Sequence, residues 1–205
     1  MDQSVVPFGK PRPERADAAR NRDHLLQVAR EMISEHGVGK VTMDGLAERA
    51  GLGKGTVFRR FGTRAGIFHA LLDSDERAFQ QDVLAGPPPL GPGADPVQRL
   101  IAYGRARIAF LLDHHAIVRA ALDRNQMVPA GMEHTLSQLH IRMLLGLTRL
   151  GIADLDTLSL QLTAALEGPL LLYLATSESA DTSQRAGSLA DSWQALIERV
   201  CRTES

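Results

Sequence analysis

The segment from Val41 to Phe61, VTMDGLAERAGLGKGTVFRRF, constrains this chain more than any other stretch. It sets two short apolar-patterned runs on either side of Gly51. Leu46, Leu52, Val57 and Phe61 recur at spacings that let two short helices pack on a helix before them. Ala47 is small where the pair would cross, and Gly51, four residues later, supplies the turn. Thr42 is a good N-cap for the first helix, predicted over about 43–50, and the second covers about 54–61. This is the layout of a helix-turn-helix, whose second helix enters the major groove of DNA. Many helical hairpins share a small residue and a glycine, so the pattern alone leaves a plain hairpin open.

The remaining sequence also reads as helix, and no run alternates as a half-buried strand does. A first helix is predicted over about 17–36, with Leu25, Ala29, Met32 and Ile33 on one face and Gly37 after its end. Gly62 and Thr63 break the chain before a longer helix over about 64–84, with Ile67, Phe68, Leu71, Leu72 and Phe79 inward. GPPPLGPGADP, residues 86–96, cannot continue a helix. Asp95 followed by Pro96 starts the next, which runs to about Asp113. Further helices are predicted over about 116–124, 129–150 (closed by Gly151), 154–177 and 181–202, with Pro169 expected to kink the penultimate one.

The fold class expected is all-α with about nine helices. A flexible basic arm over residues 1–16 precedes a three-helix helix-turn-helix domain over 17–63. A helical effector-binding and dimerisation domain over 64–205 follows. Charge divides along the same line. Residues 1–64 carry 12 Lys and Arg against 8 Asp and Glu, a net +4, while the remainder is net −5. A positive head on a negative body suits a nucleic-acid reader, although ordinary surface variation gives such a bias too. The arm and the start of the first helix carry Lys10, Arg12, Arg15, Arg20 and Arg22. Such a segment either reaches into a minor groove or only keeps the chain soluble.

At the level of motif the resemblance is closer. The segment from about Asp17 to Leu72 resembles the DNA-binding domain of the TetR family of bacterial regulators. Thr42, AERAG at 47–51, Lys54-Gly55-Thr56, Val57-Phe58-Arg59-Arg60-Phe61 and Gly62-Thr63-Arg64 carry it. The resemblance implies that Thr42 and Thr56 grip phosphates at helix N-termini. Lys54 and Gly55 then approach the DNA backbone, Arg59 and Arg60 read bases, and Arg64 touches phosphate. The chain departs from the family pattern at Phe58, where a tyrosine is common. It departs again at Arg64-Ala65 and Gly66, which leave no capping carboxylate three residues after Thr63.

The resemblance also implies a homodimer that reads two half-sites, through the last two helices. Leu158, Leu162, Leu166 and Leu170 on one, with Leu189, Trp193, Leu196, Ile197 and Val200 on the other, form the candidate interface. Those stripes equally suit the chain's own core. The middle helices would enclose an unidentified small-molecule effector. Tyr103, Arg107, Phe110, His114 and Met127 are candidates for its pocket, with Met132, His140, Met143, Glu167 and Tyr173. Each of these, taken singly, is also an ordinary packing residue.

Neighbouring His114 and His115 point about 100° apart, and no cysteine or carboxylate stands at ligand spacing, so no metal or cofactor is expected. The longest apolar stretch, Pro169–Ala175, falls far short of the roughly 20 residues a membrane span needs. No N-terminal segment reads as a secretory leader, and the expected location is the cytoplasm. The partners expected are a double-stranded DNA operator, a second copy of the chain and a small molecule. The function expected is that of a ligand-responsive repressor. An all-helical enzyme and an interaction protein without DNA binding stand beside it, although no phosphate loop or nucleophile elbow appears.

Overall fold

The computed structural model describes residues 12–121, 134–148, 150–151, 154–175 and 182–202. Among these it holds nine α-helices and no strand. They are α1 (Arg12–His36), α2 (Met43–Arg49), α3 (Lys54–Phe61), α4 (Arg64–Ala85), α5 (Pro96–Asp113), α6 (His115–Ala121), α7 (His134–Gly146), α8 (Leu155–Ala175) and α9 (Thr182–Val200). No helix among the described residues is long and apolar enough to cross a membrane.

Two boundaries differ from the sequence reading. The first helix opens at Arg12, inside the segment read as a flexible arm. Pro13 falls in its first turn, where the absent N–H has no intrahelical partner to lose. The earlier part of that arm lies outside the described residues. The helix predicted to run to about Leu150 ends at Gly146. There the Leu147 and Thr148 amides turn back to the carbonyls of Leu144 and Leu145, and the Thr148 hydroxyl donates to Leu145 O at 2.6 Å. The tightened last turn leaves no carbonyl in register to extend the helix.

The chain divides into two compact units, one up to Ala70 and one from Leu71. The division falls within α4, later than the expected boundary at 63/64. Ile67 and Phe68, both fully buried, keep the first turns of α4 with the first unit. That unit packs Leu25, Leu26, Val28, Ala29 and Met32 of α1 with Val41, Leu46, Ala47 and Val57 as buried residues. Burying each leucine contributes on the order of 2 kcal/mol. Ile33, expected on the inner face, is only half-buried.

In the second unit α5 is the central element. Asp95 caps it through the Val97 and Gln98 amides, at 2.9 and 3.3 Å, with Pro96 in the first turn. Its buried face runs through Leu100, Tyr103, Gly104, Arg107, Ile108, Leu111 and Leu112. One cluster joins this face to Ile141, Leu144 and Leu145 of α7, Leu162 and Leu166 of α8, and Trp193 and Ile197 of α9. Gly104 sets how near α9 comes: a Cβ there would lie 1.9 Å from Trp193 Nε1. Held that close, the indole N–H donates to Leu100 O at 3.0 Å. Gly104→Ala is therefore expected to push the indole off its acceptor and cost about 1–3 kcal/mol of stability. Urea denaturation followed by Trp193 fluorescence checks this, and an unchanged midpoint would show that α9 gives way freely.

Candidate nucleic-acid interface and ligand cavity

Local rules position the short helices of the first unit. Thr42 Oγ1 accepts the Gly45 amide at 3.0 Å and caps α2. Gly51 takes a positive φ of 64°, which a side chain would strain, and turns the chain toward α3. On α3 only Val57 is fully buried, and Phe61 is half-buried beside it on the helix surface. At about 100° per residue, Arg59 lies about 160° from both. Lys54, Gly55, Phe58, Arg59 and Arg60 are all exposed, while Thr56 is half-buried. Phe58 leaves half its surface in solvent.

The residues expected to meet DNA do not share one environment. Arg59 stands at the apex of the outward face. Arg60 remains exposed but donates to Ala18 O of α1 at 2.8 Å. Lys54 pairs with Asp44 of α2 at 3.0 Å, both well exposed, so the pair is weak and easily exchanged for another anion. Thr42 turns its hydroxyl oxygen to its own helix. Arg64, expected on phosphate, is held by the protein: its Nε donates to Val41 O and its Nη2 to Val38 O, each at 2.7 Å. Its guanidinium also lies 4.8 Å from the Phe68 ring centre. Partial burial makes those carbonyls the nearest acceptors, so Arg64 clamps the loop before α2 to the start of α4.

Gly66 explains the missing capping carboxylate. Its amide donates to Thr63 Oγ1 at 3.1 Å, and the Phe61 carbonyl oxygen stands 1.9 Å from where a Cβ would be. No side chain fits at that position.

The second unit contains a cavity of about 240 Å³. Of the effector candidates, Tyr103, His140 and Met143 line it. Glu76, Phe79, Gln80, Val83 and Leu84 of α4 and Leu136 and Leu139 of α7 complete the wall. Arg107, Phe110, His114 and Glu167 are absent from it and belong to a cluster of their own. Arg107, only 3% exposed, bonds Glu76 Oε2 through Nη1 at 2.6 Å and faces Glu167 Oε1 through Nε at 3.4 Å. Ser137 donates to the same Glu167 oxygen at 2.7 Å, and Tyr103 donates to Ser137 at 2.8 Å. Burial opposes the Arg107 charge, yet the carboxylates of Glu76 and Glu167 hold its pKa above the ordinary value. Burial also raises the Tyr103 phenol.

His114 stacks on Phe110 and places its ring nitrogens against two acceptors, Phe110 O at 2.7 Å and Asp75 Oδ2 at 3.1 Å. Burial disfavours its charge, but those two partners together raise its pKa. His140 is the opposite case. Its ring lies tilted at 46° against Tyr103 with centroids 4.7 Å apart, and its Nε2 is buried without a hydrogen-bond partner. Burial, reinforced by the Arg99 charge, lowers its pKa to about 4.

Met127 and Met132 lie outside the described residues, as do the side chains of Leu170 and Tyr173. Part of the expected dimer stripes packs inside the chain. Leu162, Leu166, Trp193 and Ile197 are buried within the single chain, and Leu158, Leu189 and Leu196 pack partly buried against the same cluster. Val200 is half-buried. The four buried residues face the chain's own core in the cluster built on α5. Glu76 and Asp75 went unnoticed in the sequence, where DSDER reads as solvated charge. The signal was Arg107 itself, since a cation on the apolar face of α5 requires a buried carboxylate.

The comparisons agree with this arrangement. Residues 25–71 match the family model described as bacterial regulatory proteins, tetR family. An HTH-type transcriptional regulator of Staphylococcus aureus (strain USA300) is 30% identical over 65 residues, 32% of this chain. The match spans only about a third of that relative's own length, 35%. A TetR-family transcriptional regulator from Pectobacterium atrosepticum shares the fold at a TM-score of 0.70 and 20% identity, over 93% of this chain and 99% of that one. NalD, the secondary repressor of the MexAB-OprM multidrug efflux pump in Pseudomonas aeruginosa, does so at a TM-score of 0.51 and 19% identity, over 86% and 96%.

His140 gives a pH signature. Its folded pKa, about 4, lies below the ordinary value of 6.5, so the unfolded chain binds the proton more readily. The stabilisation from a neutral His140 is thus full above pH 6.5 and lost as pH falls toward 4. Relative to His140→Phe, the unaltered protein is expected to lose on the order of 2 kcal/mol between pH 7 and 5. Paired urea titrations of the two proteins measure it. The pH-dependence of His114 runs the other way and cancels in the difference.

Proposed function

Because the chain belongs to the TetR family of bacterial regulatory proteins, we propose that it is a homodimeric transcriptional repressor that a small molecule releases from its operator. The observation that carries the proposal is the outward face of α3. Gly55 admits close approach to a duplex, and Arg59 projects opposite the buried Val57. Its guanidinium suits the O6 and N7 acceptors of guanine in the major groove. Lys54 and Arg60 flank it as phosphate contacts. Repression is the role named for NalD, with which this chain shares its fold. The protein acts in the cytoplasm, where the operator lies.

One α3 reads too few base pairs to select an operator, so a second copy is required, with half-sites about 34–36 Å apart. We place the interface on the outer faces of α8 and α9. Ala164, Ala165 and Leu160 are exposed on α8, and Ser192 and Ala195 on α9. Small side chains allow two helix pairs to approach closely in a four-helix bundle. A shallow apolar crevice of about 100 Å³ floored by Leu166, Trp193 and Leu196 offers further surface there.

Release works through α4. The helix starts at Arg64, bonded to the Val38 and Val41 carbonyls of the first unit, and its later turns line the cavity through Glu76, Phe79 and Gln80. A ligand that prefers one setting of α4 shifts the population of reading-unit positions by its differential affinity.

Two experiments test the proposal. Selection of bound genomic fragments yields the operator, and Arg59→Ala is then expected to lose about 1–3 kcal/mol of discrimination at one base pair in each half-site. Gel shifts at several salt concentrations should show that Lys54→Ala instead weakens all sequences alike. DNA affinity and discrimination left unchanged by Arg59→Ala, relative to the unaltered protein, would favour an interaction protein. For the dimer, Ala195→Arg is expected to yield monomers in analytical ultracentrifugation. A persistent dimer would move the interface elsewhere.

A further inference from the structure

The cavity of the second unit carries information about what fills it. We infer that it receives an uncharged, mainly apolar molecule of about ten to twelve non-hydrogen atoms bearing one hydroxyl group that bonds the His140 imidazole. The inference rests on the effector reading above and specifies the chemistry of that ligand.

Size comes from volume. An apolar cavity of about 150 Å³ holds a benzene molecule of six heavy atoms. A cavity of about 240 Å³ therefore holds roughly ten. The walls are chiefly hydrocarbon: Phe79, Val83, Leu84, Leu136, Leu139 and Met143. Leu84, Leu136, Leu139 and Met143 also remain 44–67% exposed, so the mouth of the cavity offers more apolar surface to a ligand that protrudes.

Charge is decided by what is already paired. Among the described lining residues the one acidic side chain is Glu76, and it is held by Arg107 at 2.6 Å. Arg107 lies outside the lining and shares its charge with Glu167. A cationic ligand would compete with that buried guanidinium, and an anionic one would face Glu76 with no cation among the described lining residues, since Arg99, whose charge acts on His140, lies outside the lining. Burying an unpaired charge is far costlier than burying a neutral group.

The polar contact is decided by His140. No hydrogen bond of its ring is found among the described residues, and its Nε2 is buried. Burial and the neighbouring Arg99 charge keep the ring neutral near pH 7. A neutral imidazole carries one donor and one acceptor. A hydroxyl both donates and accepts, so it satisfies whichever nitrogen faces it. Buried polar groups without partners are rare in folded proteins, and a lining ring that makes no hydrogen bond points to a group that arrives with a ligand and meets the nitrogen it can reach.

Three compounds of one shape test the inference on the full-length protein: 2-naphthol, naphthalene and 2-naphthoate. Binding is read by titration calorimetry without DNA. The expected order is 2-naphthol tightest, by about tenfold over naphthalene, with 2-naphthoate weakest. In His140→Phe, which keeps a ring against Tyr103, the advantage of 2-naphthol over naphthalene should vanish. Met143→Trp, which fills the mouth, should weaken both. Tighter binding of 2-naphthoate than of 2-naphthol overturns the inference, as does an undiminished 2-naphthol preference in His140→Phe. So does failure of all three to bind. The compound ranking on the unaltered protein decides the matter even if a variant does not fold. Operator affinity is measured separately with saturating 2-naphthol. If 2-naphthol binds in the expected order yet leaves operator affinity unchanged, the cavity chemistry stands and the release mechanism falls.

Discussion

A guanidinium that is 3% exposed must be neutralised where it lies, and in the second unit that requirement organises everything around Arg107. Breaking such a pair by removing one partner costs roughly 3–5 kcal/mol, because the other charge stays buried. Glu76 on α4 and Glu167 on α8 are thereby fixed relative to α5. Ser137 on α7 joins through Glu167 and passes the constraint to Tyr103. Four helices meet in one polar cluster inside an apolar bundle. Hydrocarbon packing alone would tolerate many small rotations of those helices. The directional bonds tolerate few, and they set the orientation of the wall on which Glu76, Tyr103 and the cavity residues stand.

The first unit is organised by backbone chemistry. Thr42 caps α2, Gly51 turns the chain, and Arg64 returns from α4 to hold the Val38 and Val41 carbonyls. Arg64 thereby leaves the surface, while Arg59 stays on it. The division between these cations is not one of chemistry, since both are guanidinium groups. It follows from place: Arg64 starts a helix beside the Val38 and Val41 carbonyls, and Arg59 faces away from the buried side of α3. One arginine fixes the frame and the other is left available to a duplex.

The cavity stands beside the Arg107 cluster without including its centre. Glu76 and Tyr103 belong to both. A molecule entering the cavity therefore meets, in Glu76 and Tyr103, residues whose partners are already fixed, and Glu76 stands on the helix that begins at the Arg64 clamp. This economy of shared residues gives α4 two anchors, Arg64 at its start and Glu76 midway along it. Movement of such a helix requires a trade between bonds that exist and contacts that the ligand brings.

Local rules made much of this legible in the amino-acid sequence. The helix-turn-helix, the Thr42 cap, the Gly51 turn and the Asp95-Pro96 start depend on neighbours a few residues away, and each stands where periodicity and capping placed it. The outward aspect of Arg59 follows from spacing as well. What the sequence could not determine was which acceptor each polar group finds. Arg64 on two carbonyls, Arg107 between Glu76 and Glu167, and Leu162 and Trp193 in the chain's own core all rest on contacts between residues from 23 to 93 apart. Amphipathic spacing says that a face is apolar and not what covers it. Only tertiary packing brings the covering surface, or the buried counter-charge, within reach, because hydrogen bonds and apolar contacts act over a few ångströms in space regardless of separation along the chain.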